Sequence, residues 1–218
     1  MSLNIRKDLK IMVIGCSGTG KTSFVNRWTK GDFVDTHKPT IISEFGYKVY
    51  NYKDYTYRIQ LWDIGGQDKS PTMAKIFSRD SHGCFVVSDV TKNNTLLDTM
   101  NWKKVVNDES SFIDGNKLPF ILIQNKIDLI TDKQELDNIE NETKNFSEKN
   151  EFNKYFMVSV KDNINVNESM SYLIENIVDR LEKYQETGHQ VFVAPKRRDT
   201  ALLRNSYLRS KSCNKTCC

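Results

Sequence analysis

Apolar residues follow two rhythms along the chain. Short runs rich in Val, Ile, Leu and aromatic residues, at Leu9–Ile14, Glu44–Asn51, Tyr55–Asp63, Cys84–Asp89, Phe120–Gln124 and Tyr155–Ser159, have the length and composition of strands. Between them, Lys21–Lys30, Thr95–Asp108, Lys133–Asn150 and Val166–Gln185 read as helices. Strands alternating with helices predict an α/β domain around a mainly parallel sheet. The short turn Tyr52-Lys-Asp54 is too brief for a crossover, so its two flanking strands should form an antiparallel hairpin at one edge. The helical pattern ends at Thr187-Gly188, and beyond it Pro195, basic residues and Ser/Asn follow without a sustained period. The division predicted is a folded domain over residues 1–185 and a flexible tail over 186–218.

Composition narrows the class. The longest apolar stretches, such as Ile11–Ile14 and Phe120–Ile123, fall far short of the roughly 18 residues a spanning helix needs. Residues 1–8 show neither a basic-then-apolar leader nor a Gly at position 2, so a cytosolic chain is expected. Cys16 and Cys84 stand singly in apolar surroundings, whereas Cys213, Cys217 and Cys218 crowd the end, which is no disulfide framework. The whole chain carries +4, but residues 194–218 alone carry +6, leaving −2 for residues 1–193. The folded part is thus not expected to bind nucleic acid, while the tail suits an anionic membrane surface.

Three motifs carry chemistry. Gly15-Cys-Ser-Gly-Thr-Gly-Lys-Thr22 follows the first strand and opens the first helix, the order a phosphate loop requires. Its glycines let backbone N–H groups converge on phosphate oxygens at a helix N-terminus. Lys21 would reach the β and γ phosphates, and the Thr22 hydroxyl would hold Mg²⁺. The alternative is a fortuitous Gly-rich turn. Asn125-Lys-Ile-Asp128 ends a buried-looking strand, where a carboxylate can accept from the ring N–H and exocyclic amine of guanine. Adenine offers no such donor pair, so Asp128 is the specificity residue. Ser159-Val-Lys161, after the last strand, stands where a third base-contacting loop would be. In Leu61-Trp-Asp-Ile-Gly-Gly-Gln67, Asp63 ends an apolar run as a carboxylate does when it reaches a metal through water. Gln67, past a Gly pair, could orient an attacking water, unless the segment is only a turn.

Taken together in this order, these motifs resemble the small GTPases of the Ras superfamily, and within them the Rabs. The Ser17 position, the strand Ser88-Asp-Val-Thr91 and the terminal cysteine pair point to the Rab branch. The resemblance implies a three-layer P-loop GTPase fold, with a mostly parallel six-stranded sheet and one antiparallel edge strand. It implies a phosphate cradle of Ser17, Gly18, Thr19, Gly20, Lys21, Thr22 and Ser23, with Mg²⁺ held by Thr22, Thr40 and, through water, Asp63. Phe33 would pack edge-on against guanine, Gly66 would donate to the γ-phosphate and Gln67 would be the catalytic residue. Asn125, Lys126 and Asp128 would hold the base, with Ser159, Val160 and Lys161 closing around it. Phe45, Trp62 and Phe77 match the family's aromatic triad, a surface read by effectors; ordinary core or rim packing is the other reading, and both can hold.

The same resemblance implies GTP and GDP as bound nucleotides, slow hydrolysis, geranylgeranylation of Cys217 and Cys218, and attachment to the cytoplasmic face of endomembranes. Exchange factors, activating proteins, an escort protein, a dissociation inhibitor and effectors would be the partners of a monomer in vesicle trafficking. Trp62-Asp-Ile64, Met73–Phe77 and Lys161–Val166 look like the branch serving lysosome-related organelles.

Departures lie in the switch segments. Ile42 replaces a usual Gly, Gln67-Asp-Lys-Ser70 replaces the usual acid-Arg-Phe after the glutamine, and Gly65 stands where Ala is usual. Gly65 should loosen the second switch and alter hydrolysis or exchange. The rival reading is a GTP/GDP-binding recruitment scaffold with little turnover, which Gly65 and Lys69-Ser70 would allow and Gln67 opposes. A P-loop ATPase or kinase would require Asn125–Asp128 to be accidental. No Arg stands out as serving hydrolysis in cis, with Arg58 and Arg79 left open. Zinc binding or unmodified thiols are the alternatives for the terminal cysteines.

Overall fold

The computed structural model describes residues 7–34, 43–66 and 70–187. In chain order these form β1 (Lys7–Ile14), α1 (Lys21–Lys30), β2 (Ser43–Tyr52), β3 (Tyr55–Ile64), α2 (Ser70–Phe77), β4 (Gly83–Asp89), α3 (Asn93–Glu109), β5 (Phe120–Asn125), a 3₁₀ turn (Ile127–Leu129), α4 (Lys133–Lys149), β6 (Lys154–Val158) and α5 (Val166–Glu186). The six strands make one sheet in the order β2-β3-β1-β4-β5-β6. All neighbours are parallel except the edge pair β2 and β3, which run antiparallel from Ser43↔Ile64 to Tyr52↔Tyr55. The predicted α/β fold and its edge hairpin are therefore borne out. Helix α2 was not predicted, because eight residues between a Gly pair and Ser78-Arg79 hold too little pattern to show a period.

Near-continuous apolar runs explain the middle of the sheet. Residues 83–89 and 120–125 are buried throughout, as strands covered on both faces must be. One cover is α5, whose buried Val166, Met170, Leu173, Ile174, Ile177, Val178 and Leu181 recur at three- and four-residue spacing. Side chains of adjacent β2 residues point to opposite faces. Gly46 lies under Val25 and Thr29 of α1, while Phe45 meets Trp62, which in turn meets Phe77 of α2. Helices α1 and α2 thus lie on opposite faces, giving three layers.

β1 has β3 on one side and β4 on the other, so the chain's direction of travel reverses there. In open parallel sheets the crevice at such a reversal, beyond the carboxyl ends of the strands, is where ligands bind. The segments 15–20, 65–66, 90–92, 126–132 and 159–165 leave β1, β3, β4, β5 and β6 at this one edge.

Candidate functional site

The loop after β1 turns back on itself before α1. Gly20, the residue preceding α1, has φ +95°, and a Cβ there would lie 2.3 Å from the Asn125 side-chain nitrogen. Only glycine meets both demands. Inside the loop, the Lys21 ammonium donates to the carbonyls of Gly15 and Cys16, both at 2.8 Å, and the Thr19 hydroxyl donates to Cys16 at 3.0 Å. Burial pulls the Lys21 pKa down to about 8, although Asp63 and Cys16 act to raise it. A cation held this far from water is poised for an anionic partner. Ser17 is exposed at the mouth of the loop, and Ser23 is half-buried in the first turn of α1.

Asp63 is fully buried near the end of β3, where its carboxylate accepts from the Thr22 hydroxyl. Both are hard oxygen donors, the class Mg²⁺ prefers, and that ion commonly takes one or two protein groups with phosphates and water completing its sphere. These two residues fit it. Among the described residues no group of three or more His, Cys, Asp or Glu gathers as a metal site. Gly66 lies hard against the loop: a Cβ on it would fall 2.3 Å from the Ser17 nitrogen. Thr40, Gln67, Cys213, Cys217 and Cys218, with Ile42 and Lys69, lie outside the described residues.

The base-reading residues converge from three loops. Asn125 donates to the Thr19 carbonyl at 2.8 Å and accepts from the Val160 N–H at 3.2 Å, joining the phosphate loop to the loop after β6. Asp128, on the 3₁₀ turn, accepts from the Ser159 hydroxyl at 2.7 Å; that hydroxyl also accepts from the Asp162 N–H at 3.0 Å. Lys126 has φ +72° and its ammonium lies 2.6 Å from buried Asp89. Burial would raise the Asp89 carboxyl, but Lys126 and two hydrogen bonds from Thr91 hold it below its ordinary value. Lys161 is exposed, and Phe33 is half-buried with the Arg27 guanidinium 5.6 Å from its ring centre.

Three further residues at this site escaped the sequence reading. Asp89 holds Lys126, Arg27 bonds the carbonyls of Val160 and Lys161, and Asp98 of α3 accepts from the Cys16 thiol at 3.4 Å. Cys16 therefore faces a carboxylate rather than purely apolar surroundings; burial and Asp98 push its thiol up. Cys84 is fully buried as expected. Neither arginine left open for catalysis in cis is at the site. Arg58 forms a two-pronged ion pair with Asp8 at the start of β1, about 20 Å from that strand's other end. Arg79 is exposed, and its carbonyl accepts from Lys10 at the same far side.

Phe45, Trp62 and Phe77 do come together, with ring centres 5.4 Å apart across each contact. Phe45 remains 53% exposed, whereas the Trp62 ring nitrogen is buried without a hydrogen-bond partner among the described residues. Core packing and surface exposure are thus both present in one stack. Tyr47 and Val49, also exposed, continue it along β2.

The family profile described as "Ras family" matches residues 10–179. The chain is 35% identical over 170 residues to the human protein named Ras-related protein Rab-7L1, covering 78% of this chain and 82% of that one. It is 34% identical over 185 residues to Ras-related protein Rab-32C of Dictyostelium discoideum, covering 84% and 80%. Against Ras-related protein Rab-32 of Mus musculus it is 32% identical over 178 residues, covering 80% and 78%.

Proposed function

The chain belongs to the Ras family, among the Rab small GTPases, and from that membership we propose that it is a membrane-anchored GTP/GDP switch that hydrolyses GTP slowly. The observation that carries this reading is the convergence of Lys21, Thr22, Asp63, Asn125 and Asp128 on one sheet edge, phosphate end and base end joined by Asn125.

Backbone N–H groups of residues 17–22 and the Lys21 ammonium face the phosphates. Thr22 and Thr40, with Asp63 through water, would hold Mg²⁺, which when bound would offset charge on the phosphate oxygens. Asp128 accepts from the guanine N–H and amine, Asn125 and Lys126 frame the ring, and Phe33 meets its edge. Gln67 orients a water whose oxygen bonds to the γ-phosphorus as the bond to the β–γ bridging oxygen breaks, leaving GDP and inorganic phosphate. Loss of the γ-phosphate removes contacts to Thr40 and Gly66, and both switch segments relax. Effectors read that change on the surface around Phe45, Trp62 and Phe77, under control of exchange factors and activating proteins. Two geranylgeranyl groups, on Cys217 and Cys218, with the basic tail anchor the protein to the cytoplasmic face of endomembranes, after delivery by an escort protein and with retrieval by a dissociation inhibitor. Lysosome-related carriers and vesicle trafficking are the setting that the sequence pieces at 62–64, 73–77 and 161–166 support.

Single-turnover hydrolysis of labelled GTP, wild type beside Gln67→Leu with ATP as competitor, tests the reading. Slow hydrolysis lost in the variant and untouched by ATP is expected. Tight GTP binding with no hydrolysis in either protein would favour the recruitment scaffold, and competition by ATP would overturn guanine specificity.

A further inference from the structure

Arg27 lies in the last turn of α1, at the opposite end of that helix from the phosphate loop, yet each nitrogen of its guanidinium is engaged near the base end of the site. Its Nε donates to the Val160 carbonyl at 2.9 Å, Nη2 to the Lys161 carbonyl at 2.7 Å and Nη1 to the Gly31 carbonyl at 2.9 Å. The Arg27 main-chain carbonyl also accepts from the Gly31 N–H at 3.0 Å, so this one residue grips Gly31 twice. Gly31 opens the turn that leads to Phe33, whose ring lies beside the guanidinium. Val160 is held from both sides, its N–H by Asn125 and its carbonyl by Arg27.

We propose that Arg27 is a positioning residue for the base end: it ties the loop of Ser159–Lys161 to the segment carrying Phe33, and thereby sets how slowly guanine nucleotide leaves. The proposal rests on the guanine-switch reading above. A rigid planar guanidinium holds three carbonyls on two separate segments in fixed directions, which an ammonium on a flexible stem does not. Arg27 is half-buried and borders an open polar cleft of about 320 Å³ between α1, β2 and α5, so shortening it opens no core cavity.

The test is the release rate of fluorescently labelled GDP from the full chain in wild type, Arg27→Met and Arg27→Lys. Methionine keeps an apolar stem and removes all donors, and lysine keeps the charge. Losing these three charge-assisted hydrogen bonds should speed release by about tenfold or more in the Met variant, with lysine intermediate. Chelating Mg²⁺ should accelerate wild type and variants by the same factor, because it acts at the other end of the nucleotide; a generally loosened fold would not preserve that factor. Should Arg27→Met fold poorly, the Lys variant carries the comparison. Release at the wild-type rate from both variants would overturn the latch while leaving the switch intact. Failure of the wild type to hold labelled GDP at all would overturn the switch and the latch together.

Discussion

Lys21 is the residue whose chemistry depends most on what lies beside it. Its pKa near 8 belongs to the site without phosphate. Phosphate oxygens beside the ammonium favour its charged form and so raise that pKa. Binding therefore takes up a proton at pH values between about 8 and the raised pKa. Affinity for GDP should be flat below pH 8 and decline as pH rises above it, since the free protein must first be protonated. Calorimetry at pH 8.5 in buffers of different ionisation heat should detect the uptake, and Lys21→Arg should abolish it; a wild-type binding heat independent of buffer would contradict the assignment. Lys21, Asn125 and Asp128 were legible in the sequence because short motifs fix their spacing. Arg27, Asp89 and Asp98 were not. Arg27 meets its partners 133 and 134 residues away, and an Arg in an amphipathic helix looks like any solvated one.

At the level of elements, one helix closes another. Lys103 of α3, 5% exposed, donates to the carbonyls of Asn150 and, at 2.7 Å, Glu151, just past the end of α4, and lies over the Phe152 ring at 4.6 Å. These carbonyls have outrun the helix's own donors. Lys103→Met should cost about 2 kcal/mol of unfolding free energy in urea by leaving them short of partners. A loss below about 0.5 kcal/mol would mean that solvent replaces the lysine. All six predicted strands began and ended within two residues of the observed ones, and α1 matched at both ends, since Gly20 and Gly31 bracket it. The misses share a cause. Helix α2 and the 3₁₀ turn at Ile127–Leu129 are shorter than the window in which a period can register, and tertiary contacts such as Phe77 on Trp62 decide them.

Across the whole molecule, charge is divided between a slightly acidic body and a strongly basic tail. With the terminal cysteines geranylgeranylated, binding to vesicles containing phosphatidylserine should weaken as salt rises from about 0.15 to 1 M, where the screening length falls from about 8 to 3 Å. Binding to neutral vesicles should barely change. An equal salt response on both would show that the lipids act without the basic run. The division of the sheet matters as much as that of charge, because every loop of the site hangs from one edge while the arginine pairs at Asp8 and Asp114 brace other parts of the fold. Asn125 spans that edge from the Thr19 carbonyl to the Val160 N–H. Such a bridge makes the two halves of the site cooperative. A ligand that fills only the base half also reduces the disorder the phosphate half must lose, so guanosine and pyrophosphate bound together should each hold more tightly than either alone.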